Sequence, residues 1–161
     1  FVDTRRSHIA VIVDVRRDAY ASDDEFETAL SVGASIAVRA IRDDQDTALL
    51  IGEHGVIDAS AQRALDTVSR AHFGFDELTD QAAQAFRAVP QTSIAFLVTG
   101  ATLDVTRLRR AAGNFPLETR VIAIQVSHAS KVGVRTAGGM TLGSLSELNE
   151  LPSLLRAVSQ G

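Results

Sequence analysis

Asp14 is the residue most able to do chemistry. It closes the apolar run Ile9, Val11, Ile12 and Val13, which reads as a strand buried on both faces of a parallel sheet. A carboxylate held at the carboxyl end of such a strand can bind a cation or a hydroxyl. It can equally cap the following loop by accepting backbone N–H bonds. Arg16, Arg17 and Asp18 follow directly, and Thr99 and Asp104 flank the end of a later strand. In open α/β sheets ligands bind outside the carboxyl ends of the strands, near the switch in strand order. That rule groups Asp14 to Asp18, Thr99 to Asp104 and Ser127 to Ser130.

Absent motifs exclude several chemistries. No Gly-x-Gly-x-x-Gly follows the first strand, no Walker-type phosphate loop is present, and Lys131 is the only lysine. No nucleophile elbow exists; Gly33 to Ala37 lies inside a helical pattern, where small residues permit close helix–sheet packing. The chain has no cysteine, so disulfides, thiolate metal sites and cysteine nucleophiles are excluded together. His8, His54, His72 and His128 are scattered without ligand spacing and read as surface or hydrogen-bonding residues. The acids Asp23, Asp24 and Glu25 read as the first turn of a helix rather than calcium ligands. Arg107, Arg109 and Arg110 read as a solvated helix face, and Phe73 and Phe75 as core. A metal-assisted hydrolase or phosphotransferase would have to use Asp14 with Asp18 or Asp104.

The elements that position these residues alternate. After the first strand, Phe26 to Ile41 carries apolar residues every three or four positions, a long amphipathic helix that stops near Asp43 and Asp44. Residues 47–51 form a strand, and Gly52 to Gly55 turns it into an antiparallel edge strand. A helix capped by Asp58 or Ser60 runs to about Ala71, with Ala64, Leu65, Val68 and Ala71 inward. Another starts at Asp76 or Thr79 and ends before Pro90. Strands at 93–99 and 120–126 bracket a helix from Asp104 to Ala112. Residues 132–134 and 140–142 are short strands or extended loop. Ser144 and Glu147 have capping-box spacing, ahead of a final helix through Leu148, Leu151, Leu154, Leu155 and Val158. The pattern is α/β: one doubly wound, mostly parallel sheet with an antiparallel edge strand and helices on both faces.

With 161 residues, this is a single domain over 1–161. Sixteen basic against twenty acidic residues give a net charge of −4, which argues against nucleic acid as the partner. No apolar run approaches a membrane span and no signal peptide opens the chain. The start at Phe1 suggests part of a longer protein.

The strand ending in Asp14, the long helix, the strand pair and the run Leu97-Val98-Thr99-Gly100 together resemble the von Willebrand factor type A fold. Asp14-Val15-Arg16-Arg17, the stretch Phe26 to Ser35 and the closing Gly143 to Leu155 are similar to a bacterial family catalogued as domain of unknown function 58. Its members are encoded beside MoxR-type AAA+ ATPases, and the likeness covers essentially the whole chain. In the wider fold a metal-ion-dependent adhesion site takes Asp-x-Ser-x-Ser, a later Thr and a later Asp. The resemblance implies Asp14 and Thr79 as metal ligands, with Arg16 and Asp18 replacing both serines and Gly100 standing where the last acid would be. Asp18 or Asp104 could substitute, or Arg16 could pair with Asp14 in place of the metal. The expectation is a degenerate adhesion site with no cofactor, Mg²⁺ being the ion it would take. The implied function is non-catalytic: Asp14, Arg16, Arg17, Asp18, Thr79 and Thr99 face a protein partner, an AAA+ ATPase. The implied setting is cytoplasmic, in a parent anchored to a membrane that this fragment does not itself touch.

Overall fold

A computed structural model describes residues 7–159. Seven strands form one sheet: β1 (His8–Val13), β2 (Asp46–Ile51), β3 (His54–Val56), β4 (Ile94–Gly100), β5 (Arg120–Val126), β6 (Gly133–Ala137) and β7 (Met140–Leu145). Their order is β3-β2-β1-β4-β5-β7-β6. The five central strands run parallel. β3 is the expected antiparallel edge strand, and β6 adds a second at the opposite edge, paired with β7. From β1 the chain steps to β2 on one side and later returns to β4 on the other, so the switch in strand order lies between β1 and β4.

The long helix α1 (Asp23–Arg42) begins where local chemistry starts it. Ser22 Oγ accepts from the Glu25 N–H at 3.2 Å, and the Glu25 carboxylate reaches back to the Ala21 N–H at 3.0 Å. The helix sits close on the sheet because Gly33 has no side chain: a Cβ there would lie 2.5 Å from Val13 Cγ2. Val11 and Val13 therefore point at α1. Ala10 and Ile12 point the other way, by the two-residue period of a strand, and are equally buried. That second face is covered by α3 (Leu78–Ala88), which packs on β1 and β2 and against α4 (Val105–Ala112). Helix α2 (Ala61–Ser69) lies beside α1, and α5 (Leu151–Ser159) covers β6 and β7.

Several local expectations shift. In α2, Ala64 and Thr67 face inward while Leu65 is 53% exposed, because Ala64 and Val68, one turn apart, fix the buried stripe and Leu65 lies about 100° around from it. Ala71 falls beyond the helix end. The capping box before α5 joins Glu147 and Glu150, not Ser144 and Glu147; Ser144 belongs to β7. Leu148 sits in a 3₁₀ turn and is exposed. Phe73 stacks on Phe26 with centroids 4.2 Å apart, whereas Phe75 is 91% exposed rather than core.

Candidate functional site

Asp14 lies one residue beyond β1, at the strand-order switch. Its backbone N–H donates to Val98 at 2.8 Å, extending the β1–β4 ladder by one step. By the strand period its side chain leaves the sheet on the α3 side. There its carboxylate accepts from the Arg16 N–H at 3.1 Å and from the Thr99 hydroxyl at 2.8 Å. Asp14 and Thr99 are both buried, so they lie beneath the loop face and give a partner no surface to touch. Burial raises the Asp14 carboxyl above its ordinary range, and these two hydrogen bonds pull it only partly back. The Asp14 carbonyl accepts from the Tyr20 hydroxyl at 2.6 Å, and Tyr20 is itself buried against Phe26 and Phe73.

Above Asp14 four charged side chains close a ring. Arg16 reaches Asp18 at 3.3 Å and Glu77 at 2.7 Å. Arg107 reaches Glu77 at 2.6 Å and Asp18 at 4.0 Å. Glu77 thus bridges two guanidinium groups. This is why α3 starts without a side-chain cap: Glu77 is its N-cap residue, and its carboxylate is turned to the arginines instead. Neither Asp76 nor Thr79 caps the helix; Thr79 lies in its first turn and accepts from Asn114 Nδ2 at 3.2 Å. The supposed ion pair between the Arg16 and Asp14 side chains is replaced by the Arg16 backbone N–H. Asp104 caps α4 by accepting from the Thr106 N–H at 3.0 Å and does not line the pocket around Asp14. Arg17 points outward, pairing with Asp23 at 3.0 Å and lying 4.1 Å over the Phe73 ring.

Asp14, Arg16, Glu77, Thr79, Arg107 and Arg110 surround a pocket of only about 30 Å³. The fold therefore brings Asp14 and Thr79 to one place, as the implied ligand set requires. The remaining donors do not fit a hard divalent cation, which needs six or so oxygens. Three guanidinium groups line the space, and both Asp14 oxygens already accept from the protein. Glu77 is no candidate in the sequence, and Arg107 reads there as a solvated face. Glu77 lies 61 residues from Arg16 and 30 from Arg107; only the position of an acid just ahead of a helix could have flagged it.

The loop Ser127 to Ser130 stands apart from this pocket. It is tied to the start of α1, where the buried Glu25 carboxylate accepts from the His128 N–H at 2.8 Å. Two of the histidines read as scattered, His54 and His72, meet at the carboxyl end of β2, with ring centroids 5.8 Å apart.

A solved von Willebrand factor type A protein from Catenulispora acidiphila superimposes on 96% of this chain with a TM-score of 0.54 at 15% identity. The fold is of the von Willebrand factor type A kind. This chain spans 42% of that protein's length. No protein-family model matches the chain, and no curated protein matches it. Among the described residues no helix is long and apolar enough to cross a membrane.

Proposed function

We propose that the chain is a non-catalytic protein-interaction domain, and that it presents the loop face around Arg16, Arg17, Asp18 and Thr79 to its partner without a bridging cation. The observation that carries this reading is the Asp18–Arg16–Glu77–Arg107 ring closed over Asp14. In an adhesion-type site a cation gathers oxygen ligands and leaves a coordination position for the partner's acid. Here two arginines gather the carboxylates, and Asp14 sits beneath them as a buried acceptor. The adhesion site is degenerate on this reading, and its electrostatic centre is built from the chain's own charges. The burial of Asp14 also speaks against the alternative in which it acts as a nucleophile or metal base.

The partner we infer is a MoxR-type AAA+ ATPase, with this domain as an adaptor on the cytoplasmic side of a membrane-anchored parent; the sequence likeness supports this. Binding of the immobilised domain to the MoxR-type ATPase of the same organism tests it. We expect saturable binding unaffected by EDTA, at least tenfold weaker in Arg17→Glu, and unchanged in Arg135→Glu on the far edge strand. Binding abolished by EDTA would restore a functional metal site. Binding lost in Arg135→Glu but not in Arg17→Glu would move the surface. Absence of binding to the ATPase would end the adaptor assignment.

A further inference from the structure

The β2–β3 turn and the segment after α2 bring Glu53, His54 and His72 onto one spot of the carboxyl-end face. Glu53 Oε1 is 3.7 Å from His54 Nε2 and 3.8 Å from His72 Nε2. One ligand atom from each residue lies within 4.8 Å of the others. These separations exceed a hydrogen bond, which needs about 2.7–3.2 Å. They are close to the roughly 3.3 Å between neighbouring ligand atoms of a tetrahedral ion bound at about 2.0–2.1 Å.

His72 Nδ1 lies 3.2 Å from the Arg70 carbonyl. A carbonyl only accepts, so Nδ1 carries a proton, which leaves Nε2, on the Glu53 side of the ring, as the nitrogen that can ligate. Metal-bound imidazoles are oriented by this same backbone contact.

The supporting backbone is fixed from both sides. Gln81 Nε2 donates to the Gly52 carbonyl at 3.2 Å beneath the turn. The Gly74 N–H donates to Val15 at 3.0 Å, holding the His72 segment. The cluster opens on a cavity of about 520 Å³ that Asp76 and Asp80 also line, two further acids that favour a cation; Glu77, on the same wall, is already paired with Arg16 and Arg107.

We propose that Glu53, His54 and His72 bind a first-row divalent transition metal, Zn²⁺ by ligand type, with one coordination position open to this cavity. Two imidazoles and a carboxylate suit zinc, whereas Mg²⁺ and Ca²⁺ prefer all-oxygen sets. The site is separate from the Asp14 pocket and does not rest on the partner proposed above.

The test is calorimetric titration of the tag-free chain with ZnCl₂, together with the visible spectrum of the Co²⁺ form. The side chain of His72 is 66% exposed and that of His54 29%, so His72→Gln leaves the core intact, and circular dichroism checks that His54→Gln keeps the fold. We expect one equivalent of zinc, tetrahedral Co²⁺ bands, and no competition from Mg²⁺. His54→Gln and His72→Gln should each weaken binding at least tenfold, and Asp14→Asn should leave it unchanged. Equal affinity in the native chain and both histidine variants would overturn the proposal. So would saturation only at millimolar zinc, or a loss that follows Asp14→Asn instead.

Discussion

At the scale of single residues, Asp14 converts a surface feature into an internal one. Its folded-state proton affinity exceeds that of the unfolded chain because burial outweighs the Arg16 and Thr99 hydrogen bonds. Stability from this group therefore rises as pH falls between the ordinary carboxylate value of 3.8 and the raised folded one, and is lost as pH climbs above it. Asp14→Asn keeps the shape without the charge. Its amide must donate to the Thr99 oxygen where the carboxylate accepted, and urea melts across pH should find its stability relative to the native chain falling as pH drops toward 3.8. Asp14→Ala should instead cost about 2–3 kcal/mol at neutral pH, since the Arg16 N–H and Thr99 hydroxyl lose their acceptor. Tyr20→Phe removes the donor to the Asp14 carbonyl and should cost about 1–2 kcal/mol while leaving the aromatic stack in place.

At the scale of elements, close approach sets the geometry. A Cβ on Gly100 would fall 2.0 Å from the Ala19 carbonyl oxygen, in the 3₁₀ turn Arg17–Ala19 that carries Asp18. Thermal melts of Gly100→Ala should show a loss of about 3 kcal/mol or more, because backbone rather than a side chain must yield. Gly33→Ala should cost about 1–3 kcal/mol, since Val13 can give partway. Glu77→Ala removes the bridge between Arg16 and Arg107 and should cost about 0.5–1 kcal/mol, with faster amide exchange confined to 70–80. The elements themselves were legible in the sequence. Short apolar runs marked β1, β2, β4 and β5, and the period of Phe26 to Ile41 marked α1. The small residues around Gly33 mark close helix–sheet packing in the sequence, and the approach to Val13 is that packing. Less legible was whatever depends on pairing across the chain. Glu77 and Arg107 look like ordinary surface charges until α3 and α4 pack together, and His54 and His72 until the β2–β3 turn meets the segment after α2. Leu65 and Phe75 point outward although they read as apolar, because helix rotation and loop direction are fixed by neighbours rather than by residue type.

At the scale of the whole molecule, the carboxyl-end face holds two separate electrostatic centres, the ring over Asp14 and the Glu53, His54 and His72 cluster, with Glu77 lining the cavities beside both. They should respond differently to ions. Millimolar Mg²⁺ or Ca²⁺ should leave the melting temperature where EDTA leaves it, since no oxygen-rich cage exists at Asp14, while zinc should raise it. The strand order has a further effect, felt while the chain is being made. Ile9 pairs with Ile94 on one side and Thr47 on the other, so β1, synthesised before either partner, stays half-paired until β4 has left the ribosome. Its row Ala10 to Val13, wholly buried in the finished domain, is then an apolar edge open to wrong partners. Nascent chains that end before β4 should be protease-sensitive and dependent on chaperones, and protection should arrive abruptly once residues 94–100 emerge.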